Sequence, residues 1–310
     1  MRWPLVLLLV TAAACGGGNP AGGDSGNPGD DMGGDGPLSC PPDQWCIEAS
    51  PVADILLHAV YAATTNDVFA VGDAGTILYR RDNAWTAMTS NTTENLRGVG
   101  GTSATDVWAV GVNGTLLHYD GASWTPITGV TTADLEAVYA ASTTDVWIAG
   151  GQELEHLSGT TWSSTPLAGA QLSISGLASN DIWVTGENAG VHHYDGGSWG
   201  SIIKPVNTTT YFAIAAVATT DVWTADAVEG LRFDGAQWNK YATPGHIIQY
   251  LFAKTATDVW ATAGAAVGHF DGASWTFETP PGVTLMLWAV GGIGRHTWVV
   301  GEGSMILHRD

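Results

Sequence analysis

Residues 95–133 read NLRGVGGTSATDVWAVGVNGTLLHYDGASWTPITGVTTA, and this stretch decides the fold because it recurs along the chain. Its core is D-V-W, a glycine turn, then L-H-Y-D-G-x-S-W. The first part returns at Asp67-Val68-Phe69, Asp106-Val107-Trp108, Asp145-Val146-Trp147, Asp181-Ile182-Trp183, Asp221-Val222-Trp223 and Asp258-Val259-Trp260, and in altered form at His296-Thr297-Trp298. The second tryptophan returns at Trp85, Trp124, Trp162, Trp199, Trp238 and Trp275. The period is about 38 residues, in the range of propeller repeats. Within a unit, apolar residues alternate with period two, as in half-buried strands, rather than at the three-and-four spacing of a helix. The second unit divides into strands near 96–101, 107–110, 115–119 and 124–127, separated by turns of Gly, Asn, Asp and Ser.

The ring closes on one tryptophan. The seventh unit stops at Leu307-His308-Arg309-Asp310, where the others continue into D-G-x-S-W. Ahead of the first unit, Pro41-Pro42-Asp43-Gln44-Trp45 supplies the missing piece. The chain thus begins with the outermost strand of the blade on which it ends, and no sheet edge stays open. The reading is all-β: a seven-bladed β-propeller over residues 40–310, with four-stranded antiparallel blades, the last closed by the N-terminal strand.

Composition agrees. Of 310 residues 41 are Gly and 15 Trp, and charged residues make up 13%, about half the usual share. Three lysines are too few to dress long amphipathic helices. The net charge of −20 excludes nucleic-acid binding, which needs a basic surface to displace counterions.

Residues 1–15, MRWPLVLLLVTAAAC, carry a positive start at Arg2, a short apolar run and small residues before a cysteine, the pattern of an export signal. The end of this segment resembles the lipobox of bacterial lipoproteins, although Ala12 stands where that family usually has Leu. The resemblance implies lipid attachment at Cys15, membrane contact through that lipid only, and an outer-membrane site facing periplasm or cell surface. Residues 16–39 contain ten Gly with Asn, Asp, Ser and Pro, a composition for a disordered tether spanning about 25–30 Å. Of the three cysteines, Cys40 and Cys46 remain for a disulfide in an oxidising compartment, with two free thiols as the alternative.

A second regularity precedes the D-G aspartate by two residues: Arg80, His118, His156, His193, Arg232, His269 and His308. Across a tight hairpin each can reach the Asp that opens its unit. The expected latches are Asp106–His118, Asp145–His156, Asp181–His193, Asp221–Arg232 and Asp258–His269, with Asp67–Arg80 in the first unit. They resemble the Asp-His-Ser-Trp network of WD repeats. His192-His193 suggests a metal pair only superficially, because adjacent strand residues face opposite sides. No metal and no cofactor is expected. Calcium on the D-G aspartates Asp120, Asp195, Asp234 and Asp271 is the alternative, but an Asp opening a turn needs no ion.

The D-G-x-S-W turn resembles a degenerate Asp-box of the sialidase and BNR-type propellers, one residue short between Asp and Trp. The string V-W-A-V-G … Y-D-G-x-S-W is similar to tectonin-type repeats of propeller lectins. Both imply the propeller fold over residues 40–310. Neither implies catalysis here: the propeller arginines Arg80, Arg81, Arg97, Arg232, Arg295 and Arg309 offer no sialidase triad, and no nucleophile elbow, zinc-protease motif or Walker loop is present.

Variation points to a site. Early in the first strand of six units (the fourth is shorter there and aligns poorly), roughly equivalent positions read His58, Arg97, Glu136, Phe212, Gln249 and Trp288, while Val60, Val99, Val138, Ile214, Leu251 and Val290 beside them are uniform and read as core. Arg97, Glu136, Phe212, Gln249 and Trp288 are therefore the candidate ligand contacts, around the channel opening, with Trp288 as an exposed aromatic. The expected function is a monomeric, non-enzymatic binding module for a glycan or an envelope protein. An assembly scaffold, and less so a polysaccharide-acting enzyme, are the alternatives.

Overall fold

The computed structural model describes residues 41, 43–187, 190–202 and 210–310. Cys15, the expected lipidation site, the expected tether over residues 16–39 and Cys40 lie outside them; Cys46 is disulfide-bonded. The described residues form seven four-stranded antiparallel sheets. Six are built from consecutive strands within 57–88, 96–126, 137–166, 170–202, 213–242 and 250–278. The seventh takes three strands from 287–309 and its outermost from Cys46–Ile47, paired to Ile306–Arg309 with Cys46 opposite His308. Two backbone bonds, Asp43 N to Asp310 O at 3.3 Å and Glu48 N to Ile306 O at 2.9 Å, extend the closure.

The two tryptophans of each repeat hold the blades to one another. In five of the seven blades the outer-strand Trp meets, edge-on, the second-strand aromatic of the blade before it. Examples are Trp124 on Phe69 at 6.3 Å, Trp162 on Trp108 at 6.2 Å, Trp199 on Trp147 at 5.8 Å and Trp275 on Trp223 at 5.9 Å. Trp45 does the same on Trp260, at 5.6 Å and 84°. Edge-to-face pairs contribute about 0.5–1.5 kcal/mol beyond their buried area, so the N-terminal strand joins this system as well as the backbone ladder. Innermost strands face the axis, and Val60, Val99, Val138, Ile214, Leu251 and Val290 line a central cavity of about 330 Å³. These positions are uniform because they wall a channel.

Hairpins between the second and third strands tuck against the loop entering the next blade. Ala74 N and Asn113 N donate to Asn95 Oδ1 and Asp134 Oδ1, both at 2.9 Å. In five blades the second strand closes on a glycine (Gly72, Gly111, Gly150, Gly186, Gly301) pressed against the loop entering its own blade, while the fifth and sixth blades carry Asp226 and Ala263 there. Gly111 has extended backbone, and a Cβ there would lie 2.1 Å from the Asn95 carbonyl oxygen.

Candidate functional site

Five of the polar pairs sit across the hairpin joining second and third strands. His118 Nε2 lies 2.7 Å from Asp106 Oδ1, His193 2.8 Å from Asp181, and His156 and His269 each 3.0 Å from Asp145 and Asp258. Arg232 forks onto Asp221 at 2.8 and 2.7 Å. Each imidazole also lies flat on its blade's second-strand indole, at centroid distances of 3.6 to 4.2 Å. The indole N–H groups mostly stay out of the network, unlike the WD arrangement. Trp183 Nε1 donates to Asp181, whereas those of Trp108, Trp147 and Trp260 are buried without an acceptor. Hydroxyls of Thr102 and Thr219 also donate to Asp106 and Asp181.

The first blade departs from the expected Asp67–Arg80 pair. Register places Tyr79 opposite Phe69, the seat His118 takes opposite Trp108, and the Tyr79 hydroxyl donates to Asp67. Burial and that carboxylate push the Tyr79 phenol up to about 12. Arg80 falls one residue later, on the other face, in the position of Tyr119. There the second, fourth, fifth and sixth blades carry an aromatic (Tyr119, Tyr194, Phe233, Phe270) that packs on the preceding blade's second-strand aromatic, and the third carries Leu157. Arg80 substitutes a guanidinium 5.5 Å above the Trp298 ring, and Arg309 does likewise 5.4 Å from Trp260. Arg80 is 4% exposed, and its charge is met by Glu48. Glu48 also accepts from Trp85 Nε1 at 2.5 Å and lies 3.1 Å from His308 Nδ1. Burial opposes ionisation of Glu48, but its His308, Arg80 and Trp85 bonds outweigh that and hold its carboxyl below the ordinary carboxylate range. An acid from the N-terminal segment thus ties the first blade to the closing one, with no counterpart in the repeat.

The D-G aspartates spend one oxygen each on their own turns. Asp120, Asp195, Asp234 and Asp271 accept two backbone N–H groups apiece at 2.8–3.0 Å. These bonds, first from the amide three residues on and then from that two residues on (for Asp234 with the Asn239 side-chain amide between them), hold all four carboxyls below their ordinary 3.8. A depressed folded-state value stabilises above the unfolded one, and that contribution is lost as pH falls through the folded value. Replacing all four by Asn should flatten the stability curve below about pH 4, read by urea melts at pH 3 and pH 7. An unchanged acid limb would refute the assignment.

The variable positions His58, Arg97, Glu136, Phe212, Gln249 and Trp288 stand at the start of the innermost strands, all at one end of the propeller. The fourth blade, unaligned in sequence, fills its seat with Leu172, because Ser173 pairs with Thr185 as Gly98 pairs with Val110. His58, Arg97, Leu172 and Trp288 fall at β-bulges, which re-aim a side chain. Two neighbouring pairs meet across blades. Trp288 lies edge-on to His58 at 5.6 Å, and Arg97 bonds Glu136 with Asp134 at 3.7 Å. His58 also pairs with Asp73 at 2.8 Å, and Gln249 Oε1 accepts from Gly264 N at 3.1 Å. Trp288 is half-buried rather than exposed. None of these residues lines the central cavity, whose wall starts two residues further along each strand, or one residue further in the sixth blade, at Tyr250.

The described residues define a seven-bladed β-propeller with a mixed aromatic and charged ring at one end. Among solved structures it is similar to YCF48 bound to D1 peptide (TM-score 0.72, 15% identity, 88% of this chain and 98% of that one). It is also similar to the WD40 β-propeller domain of Doa1 (0.72, 10%, 85% and 94%) and to virginiamycin B lyase from Staphylococcus aureus (0.74, 13%, 86% and 97%). No protein-family model matches the chain, and no curated protein sequence matches it. At these identities the likeness concerns the fold, which hosts binding proteins and a lyase alike.

Proposed function

We propose that the chain is a non-enzymatic binding module of the bacterial envelope that captures a protein segment across the end of the propeller bearing the ring. One observation carries this reading: an apolar surface at that end, over three consecutive blades. Val228 is 73% exposed, Ile247 52%, Leu285 41% and Met286 36%. Val228 lies in a second-to-third-strand hairpin, and the others lie in loops entering innermost strands. Antiparallel order puts both kinds of connection at the same end as the ring, and Thr243 Oγ1 ties two of them by donating to Val228 O at 3.1 Å. Half-buried Phe212 and Trp288 adjoin this surface, while Arg97, Asp134 and Glu136 occupy the opposite side of the ring.

An apolar patch rimmed by charge suits a polypeptide with apolar side chains, whereas sugars favour stacked aromatics among amide groups. The D1 peptide in the YCF48 structure supports peptide capture on a propeller of this shape. The export signal, Cys15 and the tether support placement outside the cytoplasm, so the partner class is an envelope protein. A scaffold role is the same contact made lasting.

A peptide library and a glycan array, probed with the full chain, test this. Peptides carrying several apolar side chains should bind, and Ile247→Asp with Leu285→Asp should weaken them at least tenfold, about 1.4 kcal/mol. Leu177→Asp, at the opposite end, should change nothing. Glycan binding abolished by Trp288→Ala, with no peptide retained, would overturn the proposal.

A further inference from the structure

The closing blade breaks the latch rule in a way that changes its chemistry. Where five blades set a carboxylate against an imidazole or guanidinium, this blade has His296 in the carboxylate's place, facing His308. The missing acid returns from two residues beyond, as Asp310. Three ligand-type atoms converge: His296 Nδ1 and His308 Nε2 are 3.1 Å apart, and Asp310 Oδ1 lies 2.7 and 2.9 Å from them. His308 Nδ1 lies 3.1 Å from Glu48, so its proton sits there and its Nε2 presents a lone pair to the group. Asp310 Oδ1 is buried beside both nitrogens yet has hydrogen-bond geometry to neither. One proton on His296 Nδ1 can be aimed at a single acceptor, whereas a cation attracts all three lone pairs without regard to direction.

We infer that His296 Nδ1, His308 Nε2 and Asp310 Oδ1 form a binding site for a divalent transition metal of the zinc class, clipping the closing blade. Two imidazoles and one carboxylate suit zinc, cobalt or nickel rather than calcium or magnesium, which take oxygen ligands. Tetrahedral zinc with ligands at about 2.0–2.1 Å needs ligand separations of about 3.3 Å. The three atoms therefore spread by a few tenths of an ångström to admit it. His308 is held for the role on both sides: its ring lies parallel to Trp298 at 4.5 Å, and Glu48 orients it through Nδ1. A carboxylate behind a ligating histidine fixes the tautomer and raises the ligand's basicity. All three ligands come from the last strands, and Glu48 comes from the N-terminal segment, so the ion would sit where the ring is sewn shut.

The test is titration of the chelator-treated full chain with zinc by calorimetry, and with cobalt by visible absorption. One equivalent of zinc, an intense tetrahedral-type cobalt spectrum and a raised Tm are expected. Asp310→Asn and His296→Asn should abolish the spectrum, Glu48→Gln should weaken binding about 10–100-fold, and His246→Ala should leave it unchanged. No stoichiometric uptake by the native chain would overturn the inference and leave a shared proton in its place. Uptake that survives Asp310→Asn and His296→Asn together would overturn it equally. Should those variants fail to fold, the native chain's stoichiometry and cobalt spectrum decide.

Discussion

Glu48→Ala is expected to destabilise the propeller by about 3–5 kcal/mol, the cost of stranding a buried charge. Arg80 is 4% exposed, and Glu48 supplies its carboxylate, at 3.1–3.2 Å from Nε and 3.1 Å from Nη2. Asn83 Oδ1 and Thr65 O accept from Arg80 but carry no charge to balance it. The same substitution removes the acceptor of Trp85 Nε1 and the partner of His308 Nδ1. Since these belong to the first and closing blades, the loss falls on ring closure as well as on a single pair. At about 2–4 °C per kcal/mol for a domain of this size, Tm should drop by roughly 10 °C. Arg80→Met in the Glu48→Ala background should recover part of the loss by removing the orphaned charge. A drop below about 1 kcal/mol would mean that Glu48 behaves as a surface ion pair and that the closure rests on Trp45 and the strand ladder alone.

Gly111→Ala is expected to cost about 3 kcal/mol, at the upper end of overpacking effects. Its backbone is extended and open to any residue, so the penalty comes from space. The added Cβ would meet the Asn95 carbonyl oxygen at 2.1 Å and the Leu96 Cα at 3.0 Å, both backbone atoms of the neighbouring innermost strand. Relief requires moving the loop entering the second blade, which would strain the Val112 N to Asn95 O bond of 3.0 Å. Gly197→Ala is the control: it is exposed, and its Cβ would meet the Asp195 carboxylate at an ordinary 3.5 Å. That change should stay within about 0.5 kcal/mol. Equal effects in chemical denaturation would show that backbone approach does not explain the glycine at the end of the second strand.

The two substitutions separate what a repeat announces from what it conceals. Gly111 belongs to the repeated unit, so its role recurs at Gly72, Gly150, Gly186 and Gly301, where a Cβ would likewise meet a backbone oxygen at 1.9–2.3 Å. Glu48 belongs to no unit, and neither its position nor its spacing marks it. Arg80 misled for a related reason: a basic residue one place from the expected seat matches the motif by eye, and only strand register shows that Tyr79 fills the latch. Counting twelve residues from the opening Asp, as from Asp106 to His118, would have pointed to Tyr79. Leu172 lay hidden because the loop ahead of it is shorter than in its neighbours.

The sequence by itself determined the blade count, the four-strand unit and the closure through Trp45. Those depend on local alternation, turn chemistry and repetition, all written along one dimension. Tertiary structure alone decided which residues became neighbours across blades: Trp288 with His58, Arg97 with Glu136, Glu48 with Arg80 and His308. It also gathered Val228, Ile247, Leu285 and Met286 on one end, and brought His296, His308 and Asp310 within reach of one another. The physical reason is that a propeller places residues a repeat or more apart side by side. Which of them meet depends on register and bulges, and a shift of one residue in either sends a side chain to the opposite face.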